Sequence, residues 1–285
     1  MRLITFTSNG KAVPGLLSPS QQEVFVLDRW GYPDSLSFIA AGEKAWSEAV
    51  EYARTAPSSA FTRLGEAPLL PPIQKPGKIL CVGLNYRDHA IESKMELPKT
   101  PAVFTKFSNA LIGSGASIVI PKMTAQPDYE AELAIVIGKR AVKVAAADWQ
   151  QYVFGYTILN DVSARDVQLA TSQWSLGKSF DTFAPLGPSI VTTDEVPDPH
   201  TLDIKLSIGG EVLQHSNTRE LIFKAPDLIA YLSSIVPLDP GDIISTGTPS
   251  GVGLGRSPQR WLRPGEVVTI EIESIGKLVN PIVAE

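Results

Sequence analysis

Beyond residue 78 the chain breaks into short β-like runs separated by proline and glycine, and this texture constrains the fold more than any other feature. Residues 79–83, 117–120, 134–137, 153–159, 204–208, 243–245 and 267–272 each read as a strand. One clear helical pattern interrupts them at residues 225–235, with Pro226 in its first turn and a proline just after it. Many strands with few helices point to a β-rich sandwich or roll rather than a doubly wound parallel sheet.

The first part of the chain has a different texture. Residues 2–6 alternate weakly like a strand, and residues 23–27 are a candidate partner for them. Between residues 37 and 55 the apolar positions Ile39, Ala40, Ala45, Trp46, Ala49, Val50 and Ala53 recur at helical spacing, with Asp34 or Ser35 as the N-cap. The stretch 68–78, PLLPPIQKPGK, then stops any regular element, because proline removes backbone donors and restricts its neighbours. The expected organisation is therefore a small N-terminal α+β domain over residues 1–72 and a β-rich domain over residues 73–285. A chain of 285 residues with 44% hydrophobic content is long enough to bury a sizeable core without staples.

The strand pattern also places charge where charge is costly. In the run beginning Asp128-Tyr129, a period of two sets Glu130 and Glu132 on one face with Ala134 and Val136, while Ala131, Leu133, Ile135 and Ile137 fill the other. Two carboxylates entering a buried strand side by side repel one another, so one takes up a proton or a cation lies between them. The bland alternative is a frayed strand end with both glutamates in water. A second run, residues 153–161, is apolar on both faces and ends in Asp161, which either binds something at the strand mouth or caps the following turn. Three carboxylates suit a hard cation with oxygen ligands, Mg²⁺ or Mn²⁺, rather than zinc. His89, His200 and His215 are too scattered for a histidine-based zinc site.

Composition narrows the partners. The net charge of -5 and the absence of a basic run argue against nucleic acid and against anionic membranes. No run approaches the roughly 18 apolar residues of a membrane span, and residues 1–15 lack the apolar core of a signal peptide. One cysteine, Cys81, rules out an intramolecular disulfide framework. A cytoplasmic location is the default expectation.

Six segments in order resemble the fumarylacetoacetate hydrolase family. They are VGLNYRDHAIE at 82–92, PAVFTK at 101–106, YEAE at 129–132, NDVSARD at 160–166, GKSFDTFAPLGP at 177–188 and STGTPSGVG at 245–253. The resemblance covers residues 78–285 and implies a mixed β-sandwich or β-roll catalytic domain, paired as a homodimer, behind a small variable N-terminal domain. It implies a divalent cation, Mg²⁺ or Mn²⁺, on Glu130, Glu132 and Asp161. Its substrates are small 2-oxo or 2,4-dioxo acids.

Individual residues acquire candidate roles beside it. His89 and Glu92 lie three apart, so on a helical turn they face the same side, and a carboxylate beside an imidazole orients it as a general base. The resemblance implies that this pair sits on a mobile segment and activates water, with residues 93–100 contributing to a lid. Lys178 is either a snorkelling surface lysine or, as the family implies, the group that stabilises enolate charge. Arg165 and Gln168 either hold a substrate carboxylate or make structural ion pairs. Lys106 either supports the metal ligands or simply ends a strand. Thr248, in the glycine-rich loop 246–253, matches a family hydroxyl that helps hold substrate; that loop lacks a Walker ending.

The expected reaction is hydrolytic cleavage of a C–C bond in an acylpyruvate, releasing pyruvate and a second acid. The same site would also serve oxaloacetate decarboxylation or tautomerisation, or isomerisation of an unsaturated 2-oxo diacid. A catalytically silent metal-binding β-domain is the remaining alternative, and it would need none of His89, Glu92 or Lys178.

Overall fold

The computed structural model describes residues 1–65, 69–92 and 95–285. Pro68 of the expected boundary and residues 93 and 94 of the expected lid lie outside them. The architecture is β-rich, with two large sheets packed face to face and short helices at their margins.

The larger sheet has ten strands in line, in the order Phe61–Arg63, Glu23–Val26, Lys11–Leu17, Arg2–Ser8, Ala184–Thr192, Val153–Asn160, Ala131–Ile137, Ile243–Ser245, Ile79–Gly83 and Ala102–Thr105. The second sheet orders Glu211–Asn217, Asp203–Ile208, Val267–Ile272, Gly276–Ala284 and Ile118–Ile120. Its strands alternate buried and half-exposed positions, as expected for a sheet with one face on the core. Against that face lie Leu133, Ile135, Tyr156 and Ile158 of the larger sheet. The opposite face of the same central strands is covered too, with Val136, Phe154 and Ile190 packing on Phe38 and Ile39 from the N-terminal helices. Burial on both faces is why these strands read as unbroken apolar runs.

The N-terminal strands join the rest of the larger sheet directly: Arg2 pairs with Val191 and Leu3 with Ile190. Residues 23–26 do not pair with the first strand as expected. An intervening strand, Lys11–Leu17, lies between them, and its Pro14 and Gly15 hid it from a propensity reading. The predicted helix at 37–55 is two helices, Ser35–Ala40 and Glu43–Thr55, separated at Gly42, whose φ of 84° no helix accommodates. Asp34 caps the first, accepting the Ser37 N–H at 2.7 Å. The helix Ala225–Ile235 is present with its predicted bounds.

Candidate active site and metal centre

Antiparallel register assembles the carboxylates. Ala131 pairs with Asn160, which sets Glu130 beside Asp161, and the Asp161 N–H donates to the Glu130 carbonyl at 3.0 Å. Glu132 follows on the same face as Glu130. A one-residue slip would send both glutamates to the other side of the sheet. All three are buried, and one carboxylate oxygen from each lies within 4.8 Å of the others. The frayed-end alternative is thereby excluded.

Cations already crowd the cluster. Lys178 Nζ bridges Glu130 and Asp161 at 2.8 Å each, and Lys106 Nζ donates to Asp161 at 2.6 Å and to the Val162 carbonyl at 3.1 Å. Both lysines are buried, so neither is a snorkelling surface residue or a plain strand end. The Arg165 guanidinium spends its fork on Asp128 (2.8 Å), Glu130 (2.6 Å) and the Gln168 amide oxygen (2.9 Å). Of the two alternatives for Arg165, the ion pair is the contact made here, and among the described residues the Gln168 amide nitrogen donates to none.

The electrostatics follow from burial and spacing. Burial alone would raise the Glu130 carboxyl, but Lys178 and Arg165 outweigh it and hold the group at about 2. Glu132 goes the other way: burial, then the charges of Asp161 and Glu130, push it well above the usual carboxylate range. Burial depresses Lys106 despite Asp161, while the carboxylates overcome burial and raise Lys178. With Glu132 ionised, four buried carboxylates, counting Asp128, face three buried cations and leave one negative charge in excess; with a proton on Glu132 the group is neutral. The donor set fits a hard divalent cation, being all carboxylate oxygen. Such an ion would turn the excess positive, and a substrate carboxylate would then neutralise it.

A proton and a cation therefore compete for Glu132. Because its carboxyl is raised, lowering the pH fills it with a proton first, so Mg²⁺ or Mn²⁺ affinity is expected to fall with falling pH and proton release to accompany binding. Calorimetry in buffers of different ionisation enthalpy measures that release, and binding with no proton release at any pH from 6 to 8 would contradict it.

The imidazole enters from the helix Arg87–Glu92. His89 Nδ1 meets Glu92 Oε2 at 2.9 Å, and Glu92 Oε1 accepts the Gly251 N–H at 2.9 Å. An ionised Glu92 fixes the proton on Nδ1 and leaves Nε2 with a free lone pair. Asn85 anchors the segment before the helix, donating to the Thr246 and Phe223 carbonyls at 2.8 and 2.9 Å.

These groups meet in one small cavity of about 130 Å³. His89, Glu130, Glu132, Arg165, Gln168, Lys178 and Thr248 line it, with Glu92 behind the imidazole and Asp161 behind Lys178. Its apolar side is Val82, Phe104, Trp174 and Met95. Lys178 Nζ lies 5.0 Å from the Phe104 ring centre, and Trp174 meets that ring edge-on. A larger cleft of about 760 Å³, lined by Leu16, Val50, Arg54, Phe61 and neighbours, lies among N-terminal elements and holds none of these residues. Sequence reasoning missed four contributors. Asp128 holds Arg165 and the Gly253 and Leu254 N–H groups, Ser245 donates to Glu132 at 2.5 Å, Trp174 walls the cavity, and Gln214 binds Thr248. Only Asp128 carried a signal, its place two residues before Glu130.

The family's sequence pattern, described as Fumarylacetoacetate (FAA) hydrolase C-terminal, matches residues 78–283. The chain belongs to the fumarylacetoacetate hydrolase family. It is an enzyme of that family, and its buried Glu130, Glu132 and Asp161 are spaced so that one oxygen from each could hold a single metal ion. It is 44% identical over 263 residues to the Rattus norvegicus protein "Oxaloacetate tautomerase Fahd2a, mitochondrial", covering 89% of this chain and 84% of that one. Among solved structures, the fumarylacetoacetate hydrolase of psychrophilic Exiguobacterium antarcticum superposes with a TM-score of 0.87 at 32% identity, covering both chains in full. The maleylpyruvate hydrolase of Sphingobium sp. SYK-6, in complex with manganese (II) ion and pyruvate, gives 0.81 at 30% identity, over 100% of this chain and 99% of that one. The cytoplasmic expectation is overturned by relatives named as mitochondrial. One cysteine and a mild negative charge never discriminated between reducing compartments.

Proposed function

We propose that this family member is a divalent-cation-dependent tautomerase interconverting the keto and enol forms of oxaloacetate or a similarly small 2-oxo diacid. The observation that carries the reading is the 44% identity, across 89% of the chain, to a relative named as an oxaloacetate tautomerase. The size of the site agrees with it. A cavity of about 130 Å³ lies well below the roughly 300–1,000 Å³ of a drug-sized pocket and suits an acid of a few carbons. Acylpyruvate hydrolysis, the expectation from sequence, becomes the second reading; the His89–Glu92 pair and the maleylpyruvate hydrolase neighbour keep it in play.

Glu130, Glu132 and Asp161 would hold Mg²⁺ or Mn²⁺, whose contribution when bound is Lewis-acid polarisation of a 2-oxo oxygen. The chain's own groups do the rest. His89 Nε2, its lone pair fixed by Glu92, takes a proton from the carbon next to the 2-oxo group. Negative charge then builds on the 2-oxo oxygen, and the Lys178 ammonium, buried and raised, meets it. Returning the proton from His89 to that oxygen gives the enol. Gln168 and Thr248 offer donors to the substrate carboxylates.

The deciding assay follows loss of enol absorbance from oxaloacetate and, in parallel, pyruvate release from acylpyruvates of increasing length. Faster C–C cleavage than tautomerisation would put the hydrolytic reading first. We also propose a homodimer, because the edge strand Ala102–Thr105 exposes Val103 beside exposed Phe107. Light scattering should return twice the 30.7 kDa chain mass; a monomer at micromolar concentration would contradict it.

A further inference from the structure

The second sheet sends one side chain into the site that the chemistry above does not use. Gln214, on the Glu211–Asn217 strand, is 1% exposed and fully engaged. Its Oε1 accepts the Ala131 N–H at 2.9 Å, and its Nε2 donates to the Pro249 carbonyl and to Thr248 Oγ1, both at 2.9 Å. Along the Ala131–Ile137 strand, Ile243–Ser245 pairs with residues 134–136 and stops short of Ala131, so the glutamine supplies the partner for the Ala131 N–H.

Two of these partners fix the amide without ambiguity. A backbone N–H only donates, so it must face the oxygen; a carbonyl only accepts, so it must face the nitrogen. Thr248 Oγ1 is therefore an acceptor toward Gln214, and its own proton has to point elsewhere. Among the described residues no hydrogen bond takes that proton, and Thr248 lines the cavity with Glu130, Gln168 and Lys178. The loop cannot easily drift from this contact. Gly251, at φ +100°, lies so close to the strand that an added Cβ would sit 2.1 Å from the Leu213 carbonyl.

We infer that Gln214 is a positioning residue that sets the polarity of the Thr248 hydroxyl, making it a one-way donor to a carboxylate or carbonyl oxygen of the bound acid. The inference rests on the 2-oxo acid reading of the cavity and adds to it the direction of one contact. It also ties the loop that presents the donor to the backbone between Glu130 and Glu132, so substrate contact and cation ligands share one support.

Oxalate, a small dianion, tests this by calorimetry on the Mg²⁺-loaded protein. Thr248→Val should bind about tenfold more weakly, as loss of one hydrogen bond to a charged group implies, and the conservative Thr248→Ser, which keeps the hydroxyl, should recover most of that loss. Gln214→Glu preserves the acceptor for Ala131 but draws the Thr248 proton toward itself, and should weaken oxalate at least as much. The decisive comparison is the double variant, Gln214→Glu with Thr248→Val. If Gln214 acts through Thr248, the double variant binds no worse than Gln214→Glu alone; fold-losses that simply multiply would overturn the inference. Should Gln214→Glu not fold, Gln214→Met enters the same cycle, with the same two outcomes. Failure of the wild type to bind oxalate overturns the 2-oxo acid reading and this inference with it, whereas multiplicative losses overturn this inference alone.

Discussion

Chelation of divalent cations with EDTA is expected to cut oxaloacetate tautomerisation about a thousandfold or more, with recovery on adding Mg²⁺ or Mn²⁺. The size follows from charge stabilisation of several kcal/mol at the 2-oxo oxygen, where about 1.4 kcal/mol is a factor of ten. Lys178 and Lys106 cannot make up the loss, because each offers a single positive charge already shared with buried carboxylates, Lys178 with Glu130 and Asp161 and Lys106 with Asp161. The matched variant is Glu132→Gln, which keeps the shape and removes one charge. It should lose cation affinity more than about a hundredfold, since even groups one step removed from a metal cost about 10–100-fold. Its fold should hold: the amide can still accept the Gly247 N–H and face the Ser245 hydroxyl. Without cation it should melt no lower than the wild type, because it relieves a buried carboxylate whose charged form its neighbours oppose. Undiminished turnover by an EDTA-stripped preparation would end the metal-dependent reading.

The triad was legible because its geometry is local. Period two puts Glu130 and Glu132 on one face, and Asp161 ends the neighbouring antiparallel strand, so sequence pattern and register say the same thing. His89 and Glu92 were legible for a similar reason, one helical turn apart. Other parts depend on contacts between distant segments and leave no trace in local pattern. Asp128 has its role only because the loop carrying Gly253 and Leu254 folds back over it, more than a hundred residues later. Gln214 reads as an ordinary polar residue on an alternating strand until the second sheet packs against the first. The competing readings of Arg165 were unresolvable from sequence for the same reason, since its partner Asp128 lies 37 residues away. The N-terminal strands likewise gave no sign that they extend the catalytic sheet, because the residues that pair, Arg2 with Val191, are placed by the whole topology.

Replacing His89 separates the reactions at this site that need a base from the one that does not. Removal of a general base costs about 10²–10⁴ in rate, so His89→Asn should slow both tautomerisation and any C–C hydrolysis by that much. Oxaloacetate decarboxylation breaks a C–C bond without a base, needing only charge stabilisation from the triad's cation and Lys178. That rate should fall less than about threefold in His89→Asn, while it should fall with the others in Lys178→Met. Glu92→Gln completes the comparison, since it keeps a hydrogen-bond partner for Nδ1 but no longer favours the proton there. It should give a smaller loss than His89→Asn and leave cation affinity unchanged, because Glu92 contacts the Gly251 N–H and not the triad. Equal losses of tautomerisation and decarboxylation in His89→Asn, with wild-type cation affinity, would mean that the imidazole holds substrate instead of moving a proton.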